Sequence, residues 1–167
     1  GLRYLLPLFA FILGVFVADQ IQNKYKYAKR LHWRQGILLA EIGILFVVGF
    51  IPHSLNMTAT ILVSFACAMQ VQTFRKMGGY SYASTMCIGN LRSGTAAFSH
   101  YLQDKKPEQL KQTFYYFGII TLFALGAGIG GNLTEHFGIH MIWISCVLLT
   151  ISFFLMFEEE QKGELVE

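Results

Sequence analysis

Five long apolar runs, at residues 4–21, 35–51, 56–74, 113–133 and 138–157, alternate with short stretches that hold nearly all of the lysine and arginine. Each run approaches the roughly 20 residues that an α-helix needs to cross a bilayer. The pattern predicts an all-α, polytopic membrane helix bundle of about five transmembrane helices over residues 1–157, with a disordered, polar acidic tail at 158–167. Pro52 closes the second run, because proline cannot continue the helical hydrogen-bond ladder, and Gly78-Gly79 breaks the pattern after the third.

Residues 80–102 stand apart. They are long enough to cross, yet they carry Ser81, Ser84, Thr85, Asn90, Arg92, Ser93, Thr95, Ser99 and His100, a load that a lipid-facing span does not tolerate. Three basic clusters bear on this segment: Lys24 to Arg34, Arg75-Lys76, and Lys105, Lys106 and Lys111. If residues 80–102 do not cross, all three clusters lie on one side, as the positive-inside bias favours. If they do cross, the third cluster falls outside, diluted there by Asp104 and Glu108. The bias therefore favours a polar re-entrant segment or half-helix.

Composition agrees with a bilayer setting, since 54% of the residues are hydrophobic and only 14% are charged. The net charge of +3 falls at helix ends, where anionic headgroups already explain it, so it gives no nucleic-acid signal. Cys67, Cys87 and Cys146 have no CxxC spacing, and the five histidines share no face, so neither a disulfide nor a metal site is expected. No cofactor motif, Ser/His/Asp order, paired acid, phosphate loop or HExxH sequence supports an enzyme.

The sharpest candidates for chemistry are Thr85, Gly89, Asn90 and Arg92. Backbone at membrane depth that is not regular helix survives only where protein or a water-filled cavity satisfies it, and these residues would line such a cavity. Gly89 permits close approach, Asn90 both donates and accepts, and Arg92 offers an anion clamp. The plainer alternative is a capping turn with Arg92 reaching toward headgroups. On the third run, Thr60, Ser64, Cys67 and Gln70 recur at helical spacing, and Gln70 joins the solute-binding candidates; interhelical hydrogen bonding is the commoner use of such a stripe.

Glu41 lies inside the second run, where a carboxylate must be paired, protonated or near water, and it is the candidate for proton coupling. An interfacial salt bridge with Arg34 or a lysine of the basic loop is the simpler reading. Asp19, beside basic residues, reads as a surface ion pair. The fourth run carries Gly126 and Gly130, small residues at the spacing that lets helix backbones approach, so helix packing is expected there. Trp143 reads as an interfacial anchor. Phe11-Ile12-Leu13-Gly14 also resembles Phe123-Ala124-Leu125-Gly126, a hint of an inverted repeat.

Three segments resemble the YoaK family, small bacterial multi-pass membrane proteins of unknown function. They are Ala68-Met69-Gln70-Val71-Gln72, the step Arg75-Lys76-Met77-Gly78-Gly79, and Thr85-Met86-Cys87-Ile88-Gly89-Asn90-Leu91-Arg92. The resemblance implies six helices in the bacterial cytoplasmic membrane, with the five here matching the second through sixth and the chain truncated at its N-terminus. This sequence departs from the family at Val71, where members have Asn, and at Ile88, where they have Thr. It implies no activity. The polar segment and Glu41 lead to the expectation of a small-solute transporter or permease. The alternative is a non-transporting scaffold or partner subunit of another membrane complex, and a homo-oligomer is compatible with both.

Overall fold

A computed structural model describes residues 2–25, 33–77, 80–81 and 87–164. The chain divides into two compact units, Gly1–Thr73 with His136–Glu167, and Phe74–Glu135. Among the described residues six α-helices follow in order: α1 (Leu2–Tyr25), α2 (Trp33–Val48), α3 (Asn56–Thr73), α4 (Cys87–Asp104), α5 (Pro107–Phe137) and α6 (Ile142–Glu164). Between α3 and α4, β1 (Lys76–Met77) and β2 (Tyr80–Ser81) pair antiparallel, with Lys76 opposite Ser81. Among the described residues, all-α architecture therefore holds apart from these four paired strand residues.

In the first unit, the most extensive packing is between α1 and α3, and α2 packs against both α3 and α6. Small residues set the approach. Gly14 on α1 lies so close to α3 that a Cβ there would stand 2.5 Å from the Phe65 carbonyl oxygen and 2.8 Å from the Ala68 Cβ. Ala18, Trp33, Ile37 and Met69 form a buried cluster that joins α1, α2 and α3, with Val17, Ile21, Ile44 and Phe65 packed against it.

The helix ends follow from local chemistry. Phe50 and Ile51 donate to the carbonyls of Val47 and Val48 at 3.0 Å each, tightening the last turn of α2 before Pro52 stops it. A 3₁₀ turn, His53–Leu55, then leads into α3. At the other end of the sequence Gly138, with φ of 72°, occupies the left-handed conformation that ends α5.

In the second unit, Asn90, Gly94 and Ala97 form the buried stripe of α4 at i, i+4, i+7 spacing. A Cβ at Gly94 would meet the Tyr116 Cβ at 3.0 Å and the Phe117 ring at 3.3 Å, so this glycine seats α4 against α5. Lys105, at φ of 55°, turns the chain out of α4, and Pro107 opens α5 where its missing N–H is not needed.

Three expectations change. The polar segment is not a half-helix: α4 has 18 residues, about 27 Å of regular helix that satisfies its own backbone. The fourth apolar run belongs to a longer helix, α5 at 31 residues, because the polar Glu108 to Lys111 turn continues it backwards to Pro107. The acidic tail is not without structure either, for α6 continues through Glu164, as the helix propensity of Glu, Gln and Lys favours.

Two stretches, Tyr4–Tyr25 and Pro107–Phe157, are long and apolar enough to cross a membrane by length and composition. Large apolar side chains stand exposed along them, with Phe9 at 63% and Phe154 at 62%. That exposure reverses the pattern expected of a domain in water.

Candidate functional site

Within the first unit, α2, α3 and α6 line an open cavity of about 310 Å³. Its polar groups are Glu41 from α2, Cys67 and Gln70 from α3, and Ser145 from α6. The remaining walls are aliphatic, built by Leu45, Val63, Ile142 and Leu149 among others. Spacing explains the α3 contribution, because Val63, Cys67 and Gln70 sit on one helical face. Ser145 and Leu148 are exposed, so the cavity reaches the surface beside α6.

Glu41 dominates the chemistry. It is the ninth of the 16 residues of α2, about 12 Å along the axis, and only 2% of it is exposed. Its Oε2 has no hydrogen-bond partner. Cys67, Gln70 and Ser145 bring no positive charge to the cavity, and neither does any other lining residue among those described. A lone ionised carboxylate in such surroundings is costly, so the group requires a proton or a cation from outside the protein.

The salt bridge with Arg34 does not form. Arg34 instead lays its guanidinium over the Trp33 ring, 5.4 Å from the centroid, and its Nε is buried without a partner. One helical turn is 3.6 residues, and the seven positions from Arg34 to Glu41 carry the carboxylate about 10 Å further along the axis. Asp19 accepts from Gln72 Nε2 at 3.0 Å and Asn23 Nδ2 at 3.1 Å, while Lys26, Lys29 and Arg30, expected as its ion-pair partners, lie outside the described residues.

The other sequence candidates separate. Gln70 meets Glu41 at the cavity of the first unit, whereas Gly89, Asn90 and Arg92 belong to α4 in the second. On α4, Asn90 is buried, while Gly89 and Arg92 are exposed on the other side of the helix. Thr85 lies outside the described residues.

Gly126 and Gly130 do not act as packing residues within their own unit. A Cβ at either position would meet nothing within 4 Å, whereas Gly14, Gly49 and Gly94 each lie close against a neighbour. A Cβ at Gly49 would overlap the indole of Trp143, whose Nε1 donates to the Phe46 carbonyl at 3.3 Å. Trp143 thus joins α6 to the end of α2, with the Phe46 and Phe50 rings against its own.

Ser145 is the cavity residue that sequence reasoning missed. Its one signal was the Ser145-Cys146 pair within an otherwise apolar run.

The family described as Protein of unknown function (DUF1275) matches residues 1–155. The chain belongs to this family. Neither a curated protein nor a solved structure matches it. Membership fixes no chemistry, so for this DUF1275 chain the cavity itself must carry the functional argument.

Proposed function

We propose that this DUF1275 member is a multi-pass protein of the bacterial cytoplasmic membrane that moves a small solute, with the Glu41 cavity as its binding site. In this reading α1, α2, α3, α5 and α6 cross the bilayer and α4 is the polar segment that does not. The resemblance to the YoaK family supports the bacterial setting and the number of spans. The echo of Phe11-Ile12-Leu13-Gly14 at Phe123-Ala124-Leu125-Gly126 supports an inverted repeat.

One observation carries the proposal: a carboxylate 2% exposed, its Oε2 without a partner, lines a cavity of about 310 Å³ among apolar helices. A purely structural bundle gains nothing from such a group, because removing it would relieve a desolvation cost of about 1–3 kcal/mol. Its presence fits a site that is filled and emptied, with Glu41 coupling the solute to a proton or holding the solute directly. Gln70 and Ser145 supply orienting hydrogen bonds.

The test is uptake into proteoliposomes from a broad panel of external solutes. Wild-type protein should move at least one of them above empty vesicles, and Glu41→Gln should lose that activity. Wild-type flux equal to empty vesicles across the panel would remove the transport reading.

A second reading, a scaffold or partner subunit, draws support from α5. Its glycines face open space within their own unit, and apolar residues such as Leu122 (72% exposed) cover its surface. Specific co-purification of another membrane protein, lost on Gly126→Ile, would favour it.

A further inference from the structure

We infer that the Glu41 cavity takes a small lipophilic ammonium, a solute with one positively charged nitrogen on an apolar body of about ten heavy atoms. The inference deepens the transport reading and rests on it for the site, though not for movement across the bilayer.

Charge sets the sign. Among the described residues Glu41 is the single ionisable oxygen acid that lines the cavity, its Oε2 lacks a partner, and no lysine, arginine or histidine joins it there. An anion would be repelled, and a neutral solute could at most donate a hydrogen bond to the carboxylate and would leave its charge uncompensated. An ammonium supplies both the missing charge and N–H donors.

A bare metal ion fits less well. Among the described residues no group of three His, Cys, Asp or Glu could hold one, and a hard cation demands six or more oxygens where the cavity offers those of Glu41, Gln70 and Ser145. An organic cation needs fewer, because aliphatic walls such as Leu45, Val63 and Ile142 satisfy its body.

Size and access complete the assignment. Cavities of about 150 Å³ hold benzene, so twice that volume accepts a ring with a short alkylamine arm. The opening beside exposed Ser145 and Leu148 lies among apolar side chains, including Ile144, Val147 and Ile151. That surface admits a solute that partitions into lipid, and such a solute must carry an apolar body.

The full chain in lipid nanodiscs is titrated with radiolabelled 4-phenylbutylammonium, and 4-phenylbutanol and 4-phenylbutanoate compete as its neutral and anionic counterparts. The ammonium should bind at least about tenfold more tightly than the alcohol, as expected for a buried charge pair, and the carboxylate should not compete. Glu41→Gln should bring ammonium and alcohol together. Should that variant fail to fold, Val63→Phe, which fills the cavity, should weaken ammonium and alcohol alike, and the wild-type ranking decides the charge.

Equal or tighter binding of the alcohol or the carboxylate, or no ammonium binding above empty nanodiscs, overturns the inference. Flux of neutral solutes without ammonium binding would overturn it and leave the transport reading standing. Ammonium binding without flux of any solute would do the reverse.

Discussion

Gln72 Nε2 donates to Asp19 Oδ1 at 3.0 Å, joining the C-terminal end of α3 to the last turns of α1. The second oxygen of Asp19 accepts from Asn23 at 3.1 Å, one turn further along the same helix. The carboxylate therefore bridges two helices that already meet through Gly14. Hydrogen bonds between membrane helices are worth about 0.6 kcal/mol on average and up to about 1.7. A double-mutant cycle with Asp19→Leu and Gln72→Leu, read by unfolding in mixed detergent, should give a coupling energy in that range. A coupling of zero would mean that the pair is held apart in the bilayer.

Gly14 and Gly126 share a four-residue sequence context, yet the fold treats them oppositely. A side chain at Gly14 meets α3 backbone at 2.5 Å, and backbone cannot move aside as a flexible side chain can. Gly14→Leu should destabilise the protein by about 1–3 kcal/mol through forced separation of α1 and α3. Gly126→Ala adds a methyl to open space and removes a helix-interior glycine, so it should be neutral or stabilising by up to about 1 kcal/mol. A destabilising Gly126→Ala, with a change in oligomeric mass, would reveal a second copy packed on α5.

Gly49 and Trp143 test how α2 and α6 are joined. A Cβ at Gly49 would overlap the indole, so Gly49→Val should displace the ring and shift tryptophan emission to longer wavelength. In Trp143→Phe the aromatic contacts with Phe46 and Phe50 survive while the 3.3 Å hydrogen bond to the Phe46 carbonyl is lost. Its cost should be only about 0.5–1.5 kcal/mol. An unchanged emission spectrum in Gly49→Val would show the helices meeting elsewhere.

These contrasts mark what was legible in the sequence. The apolar runs and Pro52 placed α1, α2 and α3 to within a few residues, because composition and a proline act locally. Glu41 and Gln70 stood out separately, one as a charge in an apolar run and the other at the end of a polar stripe. Their meeting was not legible: it depends on the rotation of α2 against α3, which the packing of Ile37 and Met69 decides. Ser145 was invisible for the same reason, since a single hydroxyl acquires meaning only from what faces it. The α5 glycines show the same limit, because glycine spacing permits close packing without naming the partner.

Cys67 offers a native reporter of the cavity, since it lines the wall and is half-buried. In a chain carrying Cys87→Ser and Cys146→Ala, a cationic methanethiosulfonate should react at Cys67 faster than an anionic one of equal size. The expected ratio is on the order of tenfold, because the cavity concentrates positive charge beside Glu41. Glu41→Gln should bring the two rates together. A faster anionic reagent would place the effective charge of the site on the wrong side of zero.

Glu41 itself sets function against stability. Its Oε2 is buried without a partner, and replacing such a group by an apolar side chain of similar length removes a desolvation cost of about 1–3 kcal/mol. Glu41→Leu should therefore raise the unfolding free energy by about that amount in the same detergent, while ammonium binding disappears. Glu41→Gln keeps a polar group in place and should gain less. If Glu41→Leu instead loses stability by more than about 1 kcal/mol, the carboxylate is holding helices together. A stabilised but inactive variant would mean that the bundle tolerates an unfavourable residue at mid-helix because an external cation or proton completes it during turnover.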